Sequence, residues 1–224
     1  MTPSRISLPA WTLATLLWLL VAGCQERSSD LPPVVDTTLA GKVSARASAT
    51  PAGLPETSIY HLEGEWEDQD GQTTTLAELQ GRPQVIALIY GRCEGACPRI
   101  IADIKSVEAA VAKAHPQGIG YLLVTMDPEV DNQERLSALA KEYDLGDAWR
   151  LLRGTPDQVR ELAAVLGVKY RKVSETDFAH SNTITVLDAR GTVVHQKQEL
   201  GTGVEDSAKA VNTLLAEPSP CCAE

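Results

Sequence analysis

Val85-Ile86-Ala87-Leu88-Ile89-Tyr90-Gly91-Arg92-Cys93-Glu94-Gly95-Ala96-Cys97-Pro98 is the stretch on which the fold turns. It opens on a continuous apolar run, Val85 to Tyr90, after a Gly81-Arg82-Pro83 break. That is the pattern of a strand buried on both faces, as in a parallel or mixed sheet. Pro98 suits the first turn of a helix. Beyond it Ile100, Ile101, Ile104, Val107 and Val111 recur at helical spacing, so one face of that helix is apolar. Cys93 and Cys97 lie between the strand and the helix, and Gly95 lets the loop bend so that both sulfurs converge. A pair so placed holds a soft metal between two thiolates or cycles between dithiol and disulfide. A static disulfide is the third option, but closing so short a loop constrains little of the unfolded chain.

Working outward, Ile59 to Trp66 reads as strand-like and Asp68-Gln69-Asp70-Gly71 as a turn, an N-terminal β extension. Tyr121 to Met126 is a second buried strand closed by Asp127-Pro128, followed by a helix over residues 131–144. Trp149 to Leu152 is a short strand, and Thr155-Pro156-Asp157-Gln158 is a capping-box start for a helix that stops at Gly167. Thr183 to Leu187 and Val193 to Gln196 flank the hairpin signal Ala189-Arg190-Gly191, and Val204 to Leu215 is a last helix. Helices alternating with buried strands predict an α/β domain, a central mixed sheet with flanking helices. A cysteine pair at the carboxyl end of the first buried strand is how a thioredoxin-like fold presents its chemistry.

The ends of the chain have a different character. Arg5 precedes an apolar run from Trp11 to Ala22, too short to span a bilayer comfortably, that ends in Leu20-Val21-Ala22-Gly23-Cys24. Residues 1–23 resemble a bacterial lipoprotein signal, which makes Cys24 a lipid anchor; an ordinary signal peptide or an uncleaved anchor helix is the alternative. Either reading sends the protein to an oxidising cell envelope, the periplasm or extracytoplasmic space, where a thiol pair needs a reductant or a metal to stay open. Residues 24–55, rich in Ser, Thr, Ala and Pro, read as a tether, 56–217 as the folded domain, and 218–224, with Cys221 and Cys222, as a disordered tail. Gln25 is not the aspartate that retains some lipoproteins at the inner membrane. A net charge of -10 without a basic stripe argues against nucleic acid as a partner.

Within the domain, Cys97 at a helix start has N–H groups and a dipole that favour a thiolate; Arg92 and Arg99 push the same way and Glu94 opposes them. A generic thioredoxin-like oxidoreductase uses two residues between its cysteines and a cis-proline opposite them. Here there are three residues between, and no proline from Pro156 to Pro218. Near the expected proline stands Phe178-Ala179-His180-Ser181-Asn182-Thr183-Ile184. Proline is an apolar wall, whereas imidazole is a ligand, and two thiolates with one imidazole suit Cu(I) and, with rearrangement, Cu(II). Zinc also accepts that set, usually with a fourth ligand; a surface histidine is the plain alternative for His180. His61, His115 and His195 read as structural, and with only Met1 and Met126 methionine-rich copper binding is excluded.

Together, Cys93 and Cys97 followed by Pro98, Asp127-Pro128-Glu129-Val130-Asp131 after the second strand, and His180 before a strand ending in Leu187-Asp188 resemble the SCO/SenC family over residues 56–216. The resemblance implies a thioredoxin-like fold and copper held by Cys93, Cys97 and His180. It also implies delivery to the dinuclear copper centre of cytochrome c oxidase, with the copper-bearing subunit or another copper chaperone as partner. Some members act instead as thiol-disulfide reductases for that centre, which would make Cys93 and Cys97 the catalytic pair. Asp127 and Asp131 match the family's acidic motif and read either as support for the metal site or as a turn and a helix cap. Asp177 is a neighbour of His180 or a loop residue, and Tyr90 a wall of the site or core. Gly91 stands where the family commonly has threonine, a change expected to be tolerated.

Overall fold

The computed structural model describes residues 53–112, 115 and 118–216. The lipoprotein-type leader with Cys24, most of the tether, and the tail with Cys221 and Cys222 lie outside them. No helix among the described residues is long and apolar enough to cross a membrane.

Two short strands, β1 (Trp66–Glu67) and β2 (Thr73–Thr74), pair antiparallel. The central strands are β3 (Gln84–Ile89), β4 (Gly120–Thr125) and β5 (Trp149–Leu152), joined by helices α1 (Ala96–Val111) and α2 (Gln133–Glu142). Helix α3 (Pro156–Val165) leads to a ribbon of β6 (Tyr170–Lys172) and β7 (Phe178–His180), and then β8 (Ile184–Leu187), β9 (Val193–Lys197) and α4 (Val204–Ala216) complete the domain. The main sheet has the order β5-β4-β3-β8-β9. β3, β4 and β5 are parallel, while β8 runs antiparallel to β3 and β9 antiparallel to β8. This is the mixed, thioredoxin-like sheet expected from the sequence.

Every residue of β3 and β4 is buried, the mark of strands at the centre of a covered sheet. The apolar stripe of α1 is buried at each predicted position from Ile100 to Val111, and α1 packs against both β3 and α4. Inside that packing Lys197 and Asp103 form a buried ion pair at 2.6 Å. α3 starts with the predicted capping box, Thr155 and Gln158 each bonding the other's backbone N–H.

Sheet direction gathers the chemistry. The carboxyl ends of parallel β3 and β4 and the amino end of antiparallel β8 all fall on one edge of the sheet. The loop with Cys93, the loop with Asp127 and Asp131, and the approach to β8 with His180 therefore meet there.

Two expectations are corrected. Ile59–His61 is a 3-10 turn rather than strand, because the Ser58 hydroxyl accepts the Tyr60 N–H and Leu62 N–H closes back on the Ile59 carbonyl. Consecutive Ile59 and Tyr60 are both buried, which an alternating strand does not allow. The polar stretch before His180 is the β6–β7 ribbon, so His180 ends one strand instead of opening the next.

Candidate metal centre

The site starts from an unusual helix N-terminus. The residue capping α1 is Gly95, which offers no side chain to the exposed N–H groups. The Cys93 sulfur takes that role and accepts the Cys97 N–H at 3.2 Å, while Cys93's own N–H donates to the Tyr90 carbonyl at 3.1 Å. The pair is thereby made unequal. Burial pushes the Cys93 thiol up, but hydrogen bonds from the Cys97 side chain and from the N–H groups of Cys97 and Gly95 outweigh it and leave it below the ordinary value. Cys97 is only 4% exposed; burial, and then the adjacent Cys93 sulfur, push its thiol well up.

His180 completes the set. The donor atoms of Cys93, Cys97 and His180 all lie within 4.8 Å of one another, and no other such group of three occurs among the described residues. The His180 Nδ1 lies 3.2 Å from the Ser181 carbonyl; donating there keeps the lone pair on Nε2. Tyr90 stands edge-on to the imidazole at 5.9 Å, and its hydroxyl donates to Asp177 Oδ1 at 2.5 Å. That bond, and then the Phe178 N–H, hold the Asp177 carboxyl below its usual range. So Tyr90 is both buried and a wall of the site, and Asp177 is tied to the histidine ribbon. The three donors open onto a cleft of about 1230 Å³ lined also by Arg135, Leu139 and Tyr143.

Asp127 and Asp131 belong to no donor group with the cysteines, and both act on the loop that carries Cys93. Asp131 Oδ2 accepts the Gly91 N–H at 2.8 Å and the Thr125 hydroxyl at 2.5 Å. Its helix-cap reading moves by one residue, since Asn132 caps α2. Asp127 pairs with Arg92 at 2.8 Å. Arg92 thus faces Asp127, and the thiolate expected at Cys97 falls instead to Cys93, whose lowering comes chiefly from hydrogen bonds at the start of α1. A Cβ on Gly91 would come within 2.5 Å of Asp131 Oδ1 and 3.0 Å of Arg135, so threonine has no room here. Arg135 donates to the Gly91 carbonyl and fills that space. Sequence reasoning missed Arg135, whose only local signal is its place on the first turn of α2. His61 bonds the Pro55 carbonyl at 2.8 Å, away from the cysteines.

Two thiols and an imidazole, meeting where a thioredoxin-like sheet ends, define a class of soft-metal and thiol-redox proteins. The SCO1/SenC sequence profile matches residues 57–216, and the chain belongs to that family. It is 24% identical over 133 residues to the SCO1 protein homolog of Bacillus subtilis (strain 168), covering 58% of this chain and 68% of that one. The fold matches copper-bound ScoI of Bradyrhizobium japonicum at a TM-score of 0.58 and 23% identity, over 67% of this chain and 96% of that one. It also matches BsSco, a member of the Sco family of cytochrome c oxidase assembly proteins with a disulfide switch. That match has a TM-score of 0.60 and 23% identity, over 68% of this chain and 92% of that one.

Proposed function

We propose that this protein is a copper metallochaperone that binds the ion with Cys93, Cys97 and His180 and delivers it to the dinuclear copper centre of cytochrome c oxidase. The observation that carries the reading is the convergence of two sulfurs and one imidazole within 4.8 Å at the mouth of a cleft. Soft thiolates with one borderline nitrogen favour copper over harder ions, and a three-donor set leaves the ion open to an acceptor's ligands. The copper bound to a family structure and the oxidase-assembly role of another support the same cargo and destination. The partner is the copper-bearing oxidase subunit or a second copper chaperone. We place the protein on the outer side of a bacterial membrane, anchored through a lipid on Cys24.

Copper titration of the reduced full chain, with Cys24, Cys221 and Cys222 changed to serine, tests the ligand set. One copper per chain is expected, with thiolate-to-copper absorption that changes in His180→Ala. Equal affinity and an identical spectrum in that variant would sink the reading.

The inequality of the two thiols favours a second role, reduction of the disulfide in the target copper site. The Cys93 thiolate attacks one sulfur of the partner's disulfide and releases the other as a thiolate. Cys97 then loses its proton and attacks Cys93, leaving the partner reduced and a Cys93–Cys97 disulfide here. Cys97→Ser should trap the mixed disulfide and Cys93→Ser should not.

A further inference from the structure

The β6–β7 ribbon that carries His180 forms a two-stranded sheet apart from the central one. Its backbone pairing is internal, Tyr170 with His180, Arg171 with Ala179 and Lys172 with Phe178. A ribbon of that size is marginal by itself. Its setting over the cysteines therefore depends on side chains that reach it from elsewhere. Beyond the core packing of Phe178 and Tyr170, two side chains reach it with hydrogen bonds, and both come from the loop that presents Cys93. Tyr90 holds the middle, through its hydroxyl on Asp177 and its ring against Phe178 at 5.1 Å. Arg92 holds the tip: one guanidinium nitrogen donates both to Asp127 Oδ2 at 2.8 Å and to the Glu175 carbonyl at 3.0 Å. Asp127, whose side chain is 4% exposed, is a fixed post for that guanidinium, while Glu175 lies at the exposed turn of the ribbon.

We propose that Arg92 is a positioning residue that grips the histidine ribbon onto the cysteine loop, with Asp127 as its buried anchor, so that loosening this grip turns a three-donor copper site into a two-sulfur site that gives copper up faster. The inference rests on the copper reading above. It assigns the acidic motif a route to the metal: Asp127 acts through Arg92 on the backbone of the ribbon, and through the ribbon on His180. An outer partner that orients a ligand in this way is worth about 10–100-fold in metal retention. A cleft-bound acceptor that competes for the guanidinium would release the imidazole at the moment its own thiols arrive.

The test is a mutant cycle in the full chain with Arg92→Ala, His180→Ala and the two together. Asp177→Ala, which cuts the exposed tie, serves as a second perturbation should Arg92→Ala fold poorly. In the metal-free protein, amide hydrogen exchange over 173–181 should quicken in Arg92→Ala while β3 and β4 stay protected. In the Cu(I)-loaded protein, loss of copper to bathocuproine disulfonate should be about 10–100-fold faster than in the parent. It should be no faster in the double variant than in His180→Ala alone. Unchanged ribbon exchange in Arg92→Ala overturns the grip, as does an equal acceleration by Arg92→Ala when His180 is already absent. If copper loss from the parent does not depend on His180, the ligand assignment fails instead, and the metal-free exchange still decides whether Arg92 holds the ribbon.

Discussion

Replacing Asp131 with alanine should cost the domain a large share of its stability without touching a ligand. The Asp131 carboxylate is 1% exposed, and its Oδ2 accepts from the Gly91 N–H at 2.8 Å and from the Thr125 hydroxyl at 2.5 Å. Both donors are buried. An orphaned buried donor costs roughly 1–3 kcal/mol, so two cost about 2–6 kcal/mol. Against this, Oδ1 is buried without a hydrogen-bond partner, and removing that desolvated oxygen returns about 1–2 kcal/mol. The midpoints, about 4 less about 1.5 kcal/mol, give an expected net loss of roughly 2–3 kcal/mol, out of the ~5–15 kcal/mol that holds a typical domain. Urea unfolding followed by the fluorescence of buried Trp66 and Trp149 measures it directly. Asp131→Asn retains one acceptor oxygen and should lose about half as much. A loss below about 1 kcal/mol for the alanine variant, or equal losses for the two variants, would refute the claim that this carboxylate ties the cysteine loop to β4.

Three further outcomes follow from the same geometry. Gly91→Ala should destabilise by about 1–3 kcal/mol, because its Cβ meets Asp131 Oδ1 at 2.5 Å and Arg135 at 3.0 Å; a Tm equal to the parent's would show that Arg135 can step aside. In metal-free reduced protein, iodoacetamide should label Cys93 first. With its thiol below the ordinary value, the labelling rate rises at lower pH than for a free cysteine, while Cys97, with its thiol raised, stays unlabelled; peptide mapping that finds Cys97 labelled first contradicts this. Lys197→Met strands the buried Asp103 and should cost about 3–5 kcal/mol, most of it regained in Lys197→Met with Asp103→Leu, as urea midpoints would show.

What was legible in the sequence was what a short window can carry. β3 and α1 were readable because an unbroken apolar run and a 3.6-residue stripe each have one common structural solution, and the cysteines between them inherit their place from it. His180 was readable from a missing proline and an adjacent strand, even though the strand it belongs to was not. The β6–β7 ribbon has no apolar alternation: Tyr170 is half-buried, Arg171 and Lys172 are exposed, and the turn is polar. The hydrogen bonds that tie it down come from Tyr90 and Arg92, more than 80 residues away, at separations of 87 and 83. Arg92 shows the same limit in another form. Adjacent to Cys93, it reads as a thiolate's counter-ion, yet a guanidinium on a long stem chooses among all acceptors within its reach. Here the choice falls on Asp127 and the Glu175 carbonyl.

The lowered Cys93 thiol then has a different source, and the difference matters for function. A neighbouring guanidinium would favour the thiolate equally whether or not the ribbon is closed. Hydrogen bonds from the N–H groups of Gly95 and Cys97 and from the Cys97 side chain belong instead to the start of α1, which is rigid because its apolar stripe is packed. Most of the acidity of Cys93 is thus set at the start of α1, while His180 and the Tyr90 hydroxyl, which bonds both Cys93 and Asp177, are what a movement of the ribbon reaches. Under the proposed ligand set, copper held by all three donors and copper held by the two sulfurs would differ by one ligand on one small element. On the proposed reading such an arrangement separates affinity from release: the start of α1 and the loop before it hold the two thiols, and the ties to the ribbon set how long the ion stays.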